Sequence, residues 1–194
     1  MIKIKVSDLV KIPKEQIIGK VIVFPTDTVY GIGALFDDVE GINKIYNLKH
    51  RDKTKPLACL AVKKEDILPY VNINNDKTLE LMNLWPGALT LIFEKKVKGL
   101  VNENISTIGF RIPNSKIALT ILKHFGIMAV TSMNLSGQEP LNDIESIERN
   151  FSDEIDYLVI DEDQLSTVSS TILDISTSAV KVLRKGEIIS KLNV

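Results

Sequence analysis

The sequence predicts a single α/β domain spanning residues 1–194, a twisted mixed parallel and antiparallel sheet flanked by helices, with an open basic crevice at the strand ends. Two observations carry that prediction. Apolar runs of strand length alternate with helix-like stretches of about ten residues along the whole chain, the pattern of a buried sheet layered by helices. The chain has 194 residues, 44% of them hydrophobic and 25% charged, which suits one core and lies far from disordered compositions. Residues 21–24 form a β-branched and aromatic run stopped by Pro25, which cannot donate to a ladder. Residues 57–62, 89–93, 108–112, 128–131, 157–160 and 170–175 read likewise as strands. Helical spacing places Val39, Ile42, Ile45 and Tyr46 on one face of 39–48, and recurs over 78–84 and 117–125, the last capped by Asn114-Ser115 and stopped by Gly126. Residues 181–189 read as a terminal hairpin or strand, and the last two strands are expected to pair antiparallel. Segments 37–38, 72–76, 95–106 and 138–143 read as loops, the last two as candidate lids.

Composition excludes several functions. The formal net charge is −1, so a polyanion would have to be met by a local cluster rather than a global field. Cys59 is the lone cysteine and His50 and His124 the only histidines, which excludes a disulfide framework, a CxxC pair and Cys- or His-rich metal centres. The charged, alternating N-terminus lacks a signal core, and no uncharged apolar run approaches the roughly 18 residues of a membrane span, so a cytoplasmic protein without membrane contact is expected. The Asn-x-Ser sequons at Asn104, Asn134 and Asn150 then carry no glycosylation meaning. The Walker phosphate loop, HExxH, a calcium loop and the Gly-x-Ser-x-Gly elbow are missing, and Gly31-Ile32-Gly33 lacks the third glycine of a dinucleotide fingerprint.

Five segments stand out against this background. Lys49, Arg51, Lys53 and Lys55 fall within seven residues between a helix and a buried strand. Charge runs are usually solvated, and cations favour helix C-termini, but the fork of arginine and the point charge of lysine also suit phosphate oxygens. Pro25-Thr26-Asp27-Thr28-Val29-Tyr30-Gly31 sets hydroxyls and a carboxylate at a strand end, as a capped turn or as a ligand wall. Trp85 beside Pro86-Gly87 reads as a core plug before a ligand wall. Arg111 lies in an apolar strand, so it either pairs with a carboxylate of the fold or awaits an anionic ligand. Thr131-Ser132-Met133-Asn134-Leu135-Ser136-Gly137 follows a strand with donors and acceptors in a tight turn.

Taken in order, these blocks, together with Lys55-Pro56-Leu57, Trp85-Pro86-Gly87-Ala88-Leu89-Thr90, Ser170-Thr171-Ile172-Leu173-Asp174 and Arg184-Lys185-Gly186, resemble the YrdC family over residues 19–189, in its short, TsaC-type form. The resemblance implies an enzyme that joins L-threonine, bicarbonate and ATP, with Mg²⁺, into threonylcarbamoyl adenylate and pyrophosphate. Partner proteins would then transfer the threonylcarbamoyl group to an adenosine of tRNA, with weak direct tRNA contact. Carried over by position, Thr28, Arg111 and Ser170 would contact threonine. Arg51, Lys55, Thr107, Ser132, Asn134 and Arg184 would meet ATP or its product. Lys49 and Arg51 would serve catalysis at the phosphates. The sequence departs from relatives at Asp52, where a proline is common, at Leu60-Ala61, where some place a histidine, and at Met133, where a small residue is usual.

Such chemistry needs little acid–base work, since a carbamate is already an anionic nucleophile. What it needs is charge neutralisation and in-line placement at the α-phosphorus. Magnesium is ordinarily held by phosphates and water, so a missing carboxylate cage is no objection. The alternative reading is an RNA-binding module of the same fold without this catalysis, disfavoured by the net charge and by the lack of aromatics beside the basic loop.

Overall fold

The structure, a computed structural model, describes residues 1–97 and 105–192, so much of the candidate lid at 95–106 lies outside the described residues. In chain order the elements are β1 (Ile2–Ile4), α1 (Val6–Leu9), β2 (Ile22–Phe24), β3 (Gly31–Leu35), α2 (Val39–Leu48), β4 (Ala58–Leu60), α3 (Lys64–Ile67), α4 (Asp76–Met82), β5 (Leu89–Glu94), β6 (Thr107–Arg111), α5 (Lys116–Phe125), β7 (Met128–Ser132), α6 (Ile144–Phe151), β8 (Tyr157–Val159), β9 (Thr171–Asp174) and β10 (Lys181–Arg184). The strands form one sheet in the order β1-β8-β2-β3-β7-β4-β6-β5-β9-β10. Its pairings are mixed. β1 and β2 run parallel to β8, β4 to β6 and β5 to β9, while β2–β3, β3–β7, β7–β4, β6–β5 and β9–β10 are antiparallel.

The helices form where caps and periodicity agree. Asp38 accepts from Gly41 N at the start of α2, and Ser115 accepts from Ala118 N at the start of α5, which ends at Gly126 in a positive-φ conformation. Five elements, β1, α1, α3, β3 and α6, are absent from the sequence expectation, and two of them have a clear reason. β3 reads in sequence only as a turn motif, because glycines at 31 and 33 weaken strand propensity. In the fold they are required: a Cβ at Gly31 would lie 2.8 Å from the Val130 side chain, and one at Gly33 would crowd Val130 and Phe24. α6 follows directly from the loop expected at 138–143, and Asp143 is its cap, accepting from Ser146 N.

The two faces of the sheet are buried differently. Val23, Ile32, Cys59, Leu91, Phe110 and Leu173 pack beneath α2, α4 and α6, with Trp85 among them as a core plug. On the opposite face, Ile22, Phe24, Leu35, Leu60, Met128 and Val130 pack against α5 and α1. That second cover does not reach Ala58, Ile92 and Ile172, which stay half-buried. The register shows that Ala58, Gly109 and Ile92 are successive cross-strand partners, as are Thr90 and Ile172, so these residues share one face. The site lies on and beside this uncovered stretch. Among the described residues no helix is long and apolar enough to cross a membrane.

Candidate functional site

A cavity of about 180 Å³ opens beside the uncovered stretch, lined by Thr26, Arg51, Thr90, Arg111, Ser132, Ser170 and Arg184, among others. The chain reaches it by local devices that can be read one at a time. α2 ends in a Schellman turn: His50 N donates to Asn47 O, Arg51 N donates to Tyr46 O, and His50 takes the left-handed φ of 48° that glycine usually fills. This turn sends the side chains of Lys49 and Arg51 to different places.

Arg51 faces the cavity. Its Nε donates to Lys55 O and its Nη2 to Pro56 O, each at 3.0 Å, so the arginine braces the 52–56 loop and keeps three N–H groups unspent. Asp52, standing where relatives often have proline, makes this turn itself by accepting from Thr54 N at 2.8 Å. Lys49 turns inward and is 1% exposed. Its Nζ donates to Ser132 O and Asn134 O at 2.5 Å and to Asn134 Oδ1 at 3.0 Å, which uses all three ammonium protons. Burial, and then the charge of Arg51, push this ammonium down to about 7. Asn134 is equally committed: Oδ1 also accepts from Ser132 Oγ, and Nδ2 donates to Leu135 O and Gln138 O. The sequence groups Lys49 with Arg51 at the phosphates. The fold instead makes Lys49 the bolt that holds the turn after β7, from which Thr131 and Ser132 reach the cavity. Met133, between Ser132 and Asn134, is fully buried in the core.

Arg111 pairs with a carboxylate of the fold. Nη2 pairs with Asp27 Oδ1 at 2.5 Å, Nη1 donates to Thr28 Oγ1 at 2.8 Å, and Nε donates to Gly87 O at 3.0 Å. Three of five N–H groups are used and two are unspent. Asp27 is the partner that the sequence alone does not name, although it lies inside one of the five segments that stand out. Its own place is held by a strap, since Ser166 N donates to Asp27 O and Thr167 N to Thr28 O. Across the cavity, Arg184 donates from Nε to Ser170 O and from Nη2 to Ser170 Oγ, both at 2.9 Å, and also keeps three N–H groups. Burial holds all three guanidinium groups below their usual range, and for Arg184 the charges of Arg111 and Arg51 add to it. Three arginines thus converge on one cavity, and Asp27 is ion-paired with one of them, Arg111.

Other expected residues lie farther out. Lys55 is exposed on the braced loop, next to Arg51. Thr107 starts β6, four residues before Arg111 and on the same side of the strand. The Leu60 side chain lines the cavity. Among the described residues there is no group of three or more His, Cys, Asp or Glu that could hold a metal ion.

Comparison with known proteins shows the family and the fold. The family model Sua5/YciO/YrdC, described as telomere recombination, matches residues 17–186. A Vibrio campbellii protein named threonylcarbamoyl-AMP synthase is 30% identical over 174 residues, covering 87% of this chain and 93% of its own. The fold is similar to that of Escherichia coli YciO, with a TM-score of 0.83 at 26% identity, covering 96% of this chain and 92% of that one. It is also similar to Pyrococcus abyssi Sua5, solved as a complex with L-threonine, with a TM-score of 0.83 at 26% identity. This chain spans about half of that one: the match covers 93% of the former and 54% of the latter.

Proposed function

Because the chain belongs to the Sua5/YciO/YrdC family, we propose that it is a threonylcarbamoyl-AMP synthase, with the amino acid in the cavity and ATP across its mouth. The observation that carries this reading is the convergence of Arg51, Arg111 and Arg184 on a cavity too small for a nucleotide. Pockets for drug-sized ligands run to about 300–1,000 Å³, against about 180 Å³ here. An amino acid fits inside, and a nucleotide has to lie over the opening.

The two unspent N–H groups of Arg111 take the carboxylate of threonine. The amine and bicarbonate give a carbamate and water. A carbamate oxygen then attacks the α-phosphorus of ATP, forming the acyl–phosphate bond of the adenylate as pyrophosphate leaves with its electron pair. Arg51 and Arg184, with three free N–H groups each, receive the phosphate oxygens, and Lys55 is near enough to add charge from the loop. Lys49 and Asn134 act one step back by fixing the Ser132 turn. The nucleoside lies along the uncovered sheet face, over Ala58, Gly109 and Ile92 toward Thr107. Four residues of strand span about 13 Å, the reach of a nucleoside monophosphate. Gly109 keeps that floor flat although packing does not demand it, since a Cβ there meets only ordinary contacts at 3.6 Å. Magnesium would arrive with ATP on phosphate oxygens and water. Asp27 is committed to Arg111, and among the described residues no group of three or more His, Cys, Asp or Glu is placed to hold the ion. The adenylate is a reactive mixed anhydride, which suits hand-over to proteins that modify tRNA.

The test is mass spectrometry of a mixture of the protein with ATP, magnesium, bicarbonate and L-threonine. A threonylcarbamoyl adenylate is expected, and Gly109→Val should suppress it at low ATP while leaving the melting temperature within a degree or two. A mixture that yields only AMP or ADP contradicts the reading.

A further inference from the structure

Two hydroxyl pairs meet the cavity, the first through Thr26 alone and the second through both members, and counting their protons separates them. Thr26 Oγ1 spends its single proton on Val29 O at 2.7 Å. Thr26 Oγ1 also accepts from Thr28 N and Val29 N, and Thr28 Oγ1 accepts from Arg111, so each hydroxyl of this pair already has partners in the protein.

The second pair is Thr90 Oγ1 and Ser170 Oγ, 2.9 Å apart and each on a residue 4% exposed. Ser170 Oγ already accepts from Arg184. Two hydroxyls carry two protons, and the bond between them consumes one whichever way it runs. The other has no acceptor in the protein among the described residues, while both residues line the cavity. The Thr90 rotamer suits a donor role, with its methyl facing Gly109 and its hydroxyl facing Ser170.

We infer that Thr90 is a further substrate-binding residue, sharing with Ser170 one hydroxyl proton that is given to a carboxylate oxygen of the ligand. The inference rests on the amino-acid reading of the cavity. The wall at Thr90 and Ser170, backed by Arg184, donates to anionic oxygen, either of the α-carboxylate of threonine or of the carboxylate that bicarbonate adds to its nitrogen.

Because the proton is shared, each single substitution leaves one donor behind and only the double removes it. Calorimetric Kd for L-threonine and steady-state KM for bicarbonate are measured for wild type, Thr90→Val, Thr90→Ser, Ser170→Ala and the Thr90→Val/Ser170→Ala double. The singles Thr90→Val and Ser170→Ala should each lose about threefold, and the double about 100-fold, the loss of one hydrogen bond to a charged acceptor and more than the product of the singles. Thr90→Ser should match wild type. A loss in threonine Kd assigns the proton to the α-carboxylate, and a loss confined to bicarbonate KM assigns it to the carbamate. A double no worse than Ser170→Ala alone overturns the inference, with Thr90 then only a spacer, and does so while wild-type product formation keeps the proposed function standing. A wild type that binds no threonine overturns both.

Discussion

The deep end of the cavity and its rim are built from the same residue type in opposite states. At the deep end, Arg111 is 6% exposed and has spent three of its donors on Asp27, Thr28 and Gly87. At the rim, Arg51 and Arg184 each spend two donors, on backbone oxygens and Ser170, and keep three. A buried charge must be paired or the fold loses stability, whereas a rim charge can stay unpaired because water serves it until a ligand arrives. The deep end is thus preorganised and its residues carry stability. The rim keeps its donors unspent, and in the proposed function its residues carry binding.

The sharpest way to break that contrast is Asp27→Asn. It leaves the Arg111 charge without its ionic partner, at a cost of about 3–5 kcal/mol, so urea denaturation should show a large loss together with weakened threonine binding. Next in size, Arg51→Ala and Arg184→Ala should each raise KM for ATP by about 10- to 100-fold, the loss of charge-assisted bonds, with the urea midpoint almost unmoved. If the rim variants lost stability and Asp27→Asn did not, the contrast would be reversed.

Lys49 sharpens the comparison from underneath, as a buried cation without a carboxylate. Lys49→Met removes a donor from Ser132 O, Asn134 O and Asn134 Oδ1, the last of which keeps Ser132 Oγ, and should cost about 1–3 kcal/mol near neutral pH. Its pH dependence has a definite sign. The folded ammonium titrates at about 7, below its usual 10.5, so between those values the unfolded chain binds the extra proton and stability rises with pH. Wild type should therefore gain on Lys49→Met as pH climbs from 7 to 9 in parallel urea titrations, by at most about 1.4 kcal/mol per pH unit. A constant difference across that range would mean that the three oxygens hold the proton on throughout. The smallest effect is His50→Gly, which relieves a left-handed position and should stabilise by up to about 1 kcal/mol, or 2–4 °C in Tm, without changing KM for ATP.

Much of the fold and the site is legible in the sequence, for reasons that belong to particular residues. α2 and α5 announce themselves by apolar spacing between recognisable caps, and Arg111 by being a charge inside an apolar strand. The convergent pieces share ordered motifs. β3 hides because its glycines serve the partner strand's Val130 rather than their own propensity. α6 hides because Ile144, Ile147 and Phe151 are its only apolar anchors in an otherwise polar run. Lys49 illustrates a different limit: neighbouring cations look alike in sequence, and only the Schellman turn at His50 decides that Arg51 meets the cavity while Lys49 bolts the β7 turn. The Thr90–Ser170 contact joins residues 80 positions apart, so no local pattern could have revealed it.

Pyrophosphate release by the whole chain in ATP, magnesium and bicarbonate, with L-threonine present or omitted, tests most directly whether an amino acid sits beneath the phosphates. Release that depends on threonine, and that falls when Arg184 is replaced by alanine, is the predicted result. Release at the same rate without threonine, or no release in either mixture, would contradict it.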